Sequence, residues 1–134
     1  MYLLDTNILS EIMRREPDRR VLARLEAIPD DQLFTSTICI EEISYGAAIA
    51  PVGNRIWERF EKEVLQWITV LDFDLNSALN GGPMRGTWKQ RGTPVGYADC
   101  LLAATAAACG LILVTRNVRH FAHESTLKVE NWFE

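Results

Sequence analysis

Two short apolar runs, each ended by a polar cluster, constrain the fold of this chain more than any other feature. Tyr2-Leu3-Leu4 is followed by Asp5, Thr6 and Asn7, and Leu111 to Val114 is followed by Thr115, Arg116 and Asn117. An apolar run of this length, bounded by polar residues, reads as a buried strand. Stretches with helical spacing lie between the runs, and that alternation predicts a parallel sheet covered by helices on both faces. In such sheets the polar residues at the carboxyl ends of strands face the crevice where ligands bind. An ionised carboxylate is costly to hold there unless a cation or a donor meets it. Asp5 therefore prompts a search for further acids able to share a metal ion.

The spacing predicts strands over residues 2–4, 32–35, 68–73, 111–114 and 127–129. Helices are expected over 7–14, with Asp5 or Thr6 near the N-cap, over 21–27, from a cap at Ser36 or Thr37 to about residue 50, and over 55–67. A helix over 75–91 is expected to be interrupted by Gly81, Gly82, Pro83 and Gly86. The alanine-rich segment 97–109 is a helix closed by Gly110. Residues 51–54 form a turn, and 115–121 a loop with room for a helical turn.

At 134 residues the chain is expected to form a single domain, 1–134, and 48% apolar residues are enough for a packed core. The net charge of -4 gives no global basic field to hold nucleic acid. A nuclease is not excluded, because a divalent cation and local arginines bring positive charge to the site itself. Cys39, Cys100 and Cys109 are an odd number in apolar helical surroundings, which reads as buried thiols rather than a disulfide framework. No Cys/His cluster suggests zinc, and no apolar stretch of about 18 residues suggests a membrane span. The N-terminus lacks the basic start of a signal peptide. A cytoplasmic protein is expected.

Asp99 heads the apolar stripe Leu102, Ala103, Ala106 of the alanine-rich helix. Two readings stand for it, a helix cap or dipole partner and a metal ligand. Glu41 and Glu42 lie one turn into the third helix, and both fall off the Ile40–Ile43–Ala47 stripe, so periodicity does not choose between them. Adjacent glutamates on a helix usually form a solvated edge. Asp72 and Asp74 read as a strand end and a helix N-cap. His120 and His123 are three apart with no third nitrogen or sulfur ligand spaced to join them. Thr115 and Asn117 are suited to orienting acids through hydrogen bonds, and Arg116 to meeting a phosphate, although Thr and Asn are also ordinary turn residues.

Taken together and in order, Leu4-Asp5-Thr6-Asn7, Ser36-Thr37-Ile38 leading to Glu42 and Gly46, Ala98-Asp99-Cys100-Leu101-Leu102-Ala103-Ala104-Thr105-Ala106, Gly110-Leu111, and Val114-Thr115-Arg116-Asn117 with Phe121 resemble a PIN domain. The likeness is closest to the VapC-type toxins of bacterial toxin–antitoxin pairs and covers nearly the whole chain. It implies a three-layer α/β/α domain with a central parallel sheet. It implies a metal-dependent ribonuclease whose core acids are Asp5, Glu42 and Asp99, which decides between Glu41 and Glu42. Asn7, Thr115 and Asn117 would support the acids. The chain departs from the family pattern at its fourth acid: the two positions where members carry it hold Asn117 and His120 here. Glu124 lies near enough in sequence to substitute.

Three converging carboxylates suit Mg²⁺ or Mn²⁺. The expected reaction is hydrolysis of an RNA phosphodiester, leaving a 5′-phosphate and a 3′-hydroxyl, with Arg85, Lys89 and Arg116, alongside Arg91 and Arg119, gripping phosphates. The resemblance further implies a homodimer, formed around the first helices and the stretch bearing Trp57, Phe60 and Trp67. It also implies inhibition by a cognate VapB-type antitoxin, through which alone DNA would be met. Two other readings remain. One is a degenerate PIN domain that binds RNA or a partner without cutting. The other is a phosphohydrolase with Asp5 as its nucleophile.

Overall fold

The computed structural model describes residues 1–122 and 124–134; His123, one of the histidine pair, lies outside them. The chain starts with strand β1 (Tyr2–Leu4) and helices α1 (Thr6–Ile12) and α2 (Arg19–Ala27). Strand β2 (Leu33–Ser36), helices α3 (Thr37–Ile49) and α4 (Gly53–Phe60) and strand β3 (Thr69–Leu71) follow. Helices α5 (Leu75–Gln90) and α6 (Tyr97–Cys109) then lead to strands β4 (Ile112–Val114) and β5 (Val129–Glu130).

The five strands form one sheet in the order β3-β2-β1-β4-β5, with every pairing parallel. Tyr2, Leu3 and Leu4 pair with Ile112, Leu113 and Val114 on one side. Tyr2 and Leu3 pair with Leu33 and Phe34 on the other. The chain steps outward from β1 to β3, then crosses back to β4 and β5. Because βαβ crossovers are right-handed, this reversal sends α1–α4 to one face of the sheet and α5–α6 to the other, the three-layer arrangement expected. It also opens the switch point between β1 and β4, at whose carboxyl ends Asp5 and Thr115 lie. Leu3, Leu4, Leu113 and Val114 are at most 1% exposed, which is why these runs carry no polar alternation.

Local chemistry sets the element ends. Asp5 is the N-cap of α1, accepting the Ile8 N–H, and Ser36 caps α3 by accepting from Ile38. Gly110 closes α6 in the left-handed region at φ 65°, with Leu111 N–H bonded to the Ala106 carbonyl at 2.9 Å. Asp74 caps α5 through the Ser77 N–H at 2.8 Å, as its position suggested.

Three expectations change. Helix α5 is continuous through Gly81, Gly82, Pro83 and Gly86. The breakers are overruled because α5 packs along α6, and Gly81 permits the close approach: a Cβ there would stand 3.0 Å from that of Ala104. The 68–73 strand shortens to Thr69–Leu71, since the Ile68 N–H turns back to the Val64 carbonyl. The last strand shifts from 127–129 to Val129–Glu130, because the Leu127 N–H is spent in a turn on Glu124 while the Lys128 and Glu130 carbonyls receive Leu113 and Thr115. The segment 55–67 is helical as expected, beginning at Gly53 and ending in a wider turn over Glu61–Leu65. Phe60 is fully buried there, and Trp57 tilts against it at 5.6 Å.

Candidate active site

Three elements bring the predicted acids to the switch point. Asp5 ends β1 and is held at 4% exposure by its own role as a helix cap. Oδ1 accepts the Ile8 N–H at 3.2 Å, and Oδ2 accepts from Asn7 Nδ2 at 3.4 Å. Burial raises the Asp5 carboxyl above its usual range; the Thr115 hydroxyl and the Ile8 and Asn7 amides pull it back, and the charge of Asp99 pushes it up again. Glu42, in α3, is half-buried while Glu41 is exposed, so burial separates the two residues that periodicity could not. The Glu42 carboxyl is raised by burial first, lowered by the Thr6 hydroxyl, and raised further by Asp99, Asp5 and Glu41. Asp99, in the first turn of α6, is thus felt by both other acids.

The supporting groups are ordered by the same strand ends. Thr115, 1% exposed, accepts the Asn117 N–H on Oγ1 at 3.1 Å, so the turn after β4 fixes the hydroxyl that faces Asp5. The Thr6 hydroxyl is buried beside Glu42 without a hydrogen bond of proper length and angle. Cys39 packs beneath the site with its thiol 3.7 Å from the Leu4 carbonyl, and burial pushes that thiol up to about 11. It is an inert thiol at neutral pH.

Two side chains that sequence reasoning left aside belong to this region. His120 Nδ1 lies 3.6 Å from Asp99 Oδ2 and is otherwise buried without a partner. Only the fold reveals this, since β4 and α6 meet there across the switch point. Glu11 is 4% exposed. Its Oε1 accepts the Asp18 N–H at 2.8 Å, and Oε2 receives Arg14 at 3.3 Å and Arg116 at 3.5 Å. A signal for Glu11 was present: it falls three residues after Ile8, on the inward stripe of α1.

The expected cations are arranged less uniformly. The Arg116 guanidinium, half exposed, lies 3.7 Å over the Phe133 ring as well as beside Glu11. Arg85 covers the Tyr97 ring at 4.7 Å. Lys89 is exposed on α5. Glu124 does not join the acids: Oε1 accepts from the Thr126 hydroxyl at 2.7 Å, and the side chain lines a cavity of about 480 Å³ with Asn80, Pro83 and Arg91.

Among the described residues, no three His, Cys, Asp or Glu side chains stand close enough together to enclose a metal ion. The acids share one field rather than a preformed cage. The donor set nevertheless fits a hard divalent cation: oxygen donors predominate, two carboxyls are raised by mutual repulsion and burial, and a hydroxyl and an imidazole nitrogen are left unpartnered.

These shifts carry a stability consequence. A carboxyl whose pKa is raised by folding adds stability below its unfolded value, and that contribution is lost as pH rises through the folded value. Replacing Glu42 by Gln removes one such group. In the presence of a chelator, the melting temperature of Glu42→Gln minus that of the wild type is expected to grow by about a degree or two as pH rises above the ordinary carboxylate range. A difference flat in pH would show that Glu42 is not held in the field of Asp5 and Asp99.

The PIN domain model matches residues 2–124. A VapC ribonuclease of Sinorhizobium fredii is 38% identical over 126 residues, covering 90% of each chain. The tRNA(fMet)-specific endonuclease VapC of Salmonella typhimurium is 31% identical, covering 98% of this chain and 97% of its own. Among solved structures, a VapBC complex of Rickettsia felis bound to a DNA fragment from its promoter superposes with a TM-score of 0.89 at 27% identity, over 98% of both chains. No helix among the described residues is long and apolar enough to cross a membrane. From the acid-bearing switch point, the matched span and these relatives together, the chain belongs to the PIN domain family.

Proposed function

We propose that this chain, acting as one PIN-like unit over 1–134, is a metal-dependent endoribonuclease, the toxin of a toxin–antitoxin pair. One observation carries the reading to particular residues: Asp5, Glu42 and Asp99, brought from three separate elements to one switch point, and Asp99 raising both other carboxyls. These three would hold Mg²⁺ or Mn²⁺. When bound, the cation supplies neutralisation of the phosphate and activation of a water for attack on phosphorus.

The rest of the work falls to the chain. Asn7 orients Asp5 through Oδ2, and Asn117 fixes the Thr115 hydroxyl, so the innermost acid has one available geometry. Arg85, Lys89 and Arg116, all exposed, are the groups to meet substrate phosphates, and Glu11 tethers the last of them. The relatives act on RNA by name, one of them on a tRNA, and RNA is the substrate class we assign, with tRNA as the first substrate to test. The rival in which Asp5 attacks phosphorus is disfavoured because both its oxygens are engaged, by Ile8 and Asn7. The non-cutting alternative rests on Asn117 and His120 standing where a fourth acid was expected.

A VapB-type antitoxin and a second copy of the chain are the proposed protein partners, and DNA is met only through the antitoxin. Support comes from apolar side chains that the fold leaves open, chiefly Tyr45, Ile49 and Val52 around the end of α3, and Leu75 and Leu79 on α5; Ile49 is 67% and Leu75 75% exposed. The aromatics Trp57, Phe60 and Trp67 are half-buried or buried and serve mainly as core. The proposed location is the cytoplasm.

The test is cleavage of total RNA by the purified chain, with ends mapped, in chelator and then with added Mg²⁺ or Mn²⁺. Discrete cuts that appear only with the cation are expected. Absence of cutting across a full set of cellular RNAs would favour the binding-module reading.

A further inference from the structure

The acid site has a side chain that the reading above does not use. His120 follows β4 in the short helical turn Val118–Phe121. Phe121 anchors that turn: it is 3% exposed and meets Trp88 edge-on at 5.8 Å. The imidazole, 6.3 Å from the Phe121 ring, is thereby directed at the first turn of α6. Its Nδ1 atom is buried and has no hydrogen-bond partner, and its nearest charged atom is Asp99 Oδ2 at 3.6 Å.

That separation is informative. It is too long for a hydrogen bond, whose N···O distance is about 2.7–3.2 Å. A divalent ion with bonds of about 2.0–2.2 Å to nitrogen and to oxygen spans a gap of this size without rebuilding the turn. A buried nitrogen lone pair with nothing to receive is otherwise costly. The only group facing it is a carboxylate already placed among the cation's ligands.

We propose that His120 Nδ1 is a ligand of the divalent cation at this site, adjacent to Asp99, and that it biases the site toward Mn²⁺ over Mg²⁺. This deepens the proposed function and rests on the acids Asp5, Glu42 and Asp99 forming a cation site. The chemistry is direct: carboxylate oxygens serve Mg²⁺ and Mn²⁺ alike, whereas an imidazole nitrogen favours a transition ion over Mg²⁺. The residue that stands in place of a fourth carboxylate is therefore a donor of different preference rather than a lost ligand.

The test uses the full chain, stripped with chelator and reloaded with Mn²⁺ alone, read by pulsed electron paramagnetic resonance. Nitrogen-14 modulation of the Mn²⁺ signal is expected, replaced by nitrogen-15 coupling when the chain is grown with labelled histidine. It should vanish in both His120→Ala and His120→Asp. Mn²⁺ affinity should fall about tenfold in His120→Ala, with a smaller loss for Mg²⁺, while His120→Asp should bind Mg²⁺ at least as well as the wild type. Mn²⁺ bound in an Asp99-dependent manner with no nitrogen coupling would overturn the proposal and leave the acid site standing, with His120 reduced to an ion-pair partner of Asp99. Nitrogen coupling that survives in His120→Ala would also overturn it. Mn²⁺ binding unaffected by Asp5→Asn and Asp99→Asn would instead remove the acid site itself, and the proposal with it.

Discussion

Replacing Asp5 by Asn is expected to abolish RNA cleavage and, in chelator, to make the protein more stable. The two effects have one cause. Asp5 is 4% exposed, and burial raises its carboxyl, so at neutral pH the fold carries an ionised group in a place that disfavours it. Asparagine keeps the volume and an oxygen able to accept the Ile8 N–H, preserving the cap of α1. It removes the charge, and with it the repulsion from Asp99 and Glu42. A gain of about 1 kcal/mol in metal-free stability is expected, in line with relief of strain at a functional site. The cost appears in catalysis. Losing a charged ligand at the centre of a cation site removes several kcal/mol of transition-state stabilisation, so a fall of roughly a thousandfold or more in kcat/KM is expected. Melting curves with and without cation, beside single-turnover cleavage, measure both effects. A variant that cuts normally, or that melts well below the wild type in chelator, would contradict this role for Asp5.

The largest purely structural effect is expected at Gly53. This residue starts α4 where it turns back on α3, and a Cβ built there would lie 1.6 Å from the Ala47 carbonyl oxygen and 2.7 Å from its carbon. Both are backbone atoms, so no flexible side chain can move aside. The α3–α4 corner would have to open, disturbing Ala47 and the fully buried Phe60. Gly53→Ala should therefore cost about 3 kcal/mol or more, at the upper end of overpacking effects, and lower the melting temperature by about 10 °C. Gly86→Ala is the control. That position is exposed, helical and open, with nothing within 4 Å of a built Cβ, so alanine should add about 0.5–1 kcal/mol through helix propensity. Equal melting temperatures for the two variants would show that the corner is looser than its packing implies.

These two residues also mark what was legible in the sequence. Asp5 was readable because a carboxylate closing a buried run is a local pattern. The same holds for Thr115 after β4, for Gly110 after α6, and for the parallel sheet, which follows from helices separating every pair of strands. Gly53 was not readable as a packing glycine, since what it meets is set by how α4 folds back on α3. The breakers in α5 misled for the same reason: propensity favoured an interruption, and packing along α6 outweighed it. Glu42 could not be separated from Glu41 by spacing alone; burial separates them. His120 and Glu11 were passed over because their partners, Asp99 and Arg116, are 21 and 105 residues away and adjoin only once the sheet has formed.

The account turns on Asp5 and Asp99 acting as one unit, and single-turnover cleavage of a mapped RNA by Asp5→Asn, Asp99→Asn and the double variant tests this most directly. Groups that serve one cation are expected to be strongly non-additive: each single change should remove nearly all activity, and the double variant should be no worse than the more damaged single. Losses that multiply in the double variant, or either single variant retaining full cation-dependent cleavage, would contradict a shared site at the switch point between β1 and β4.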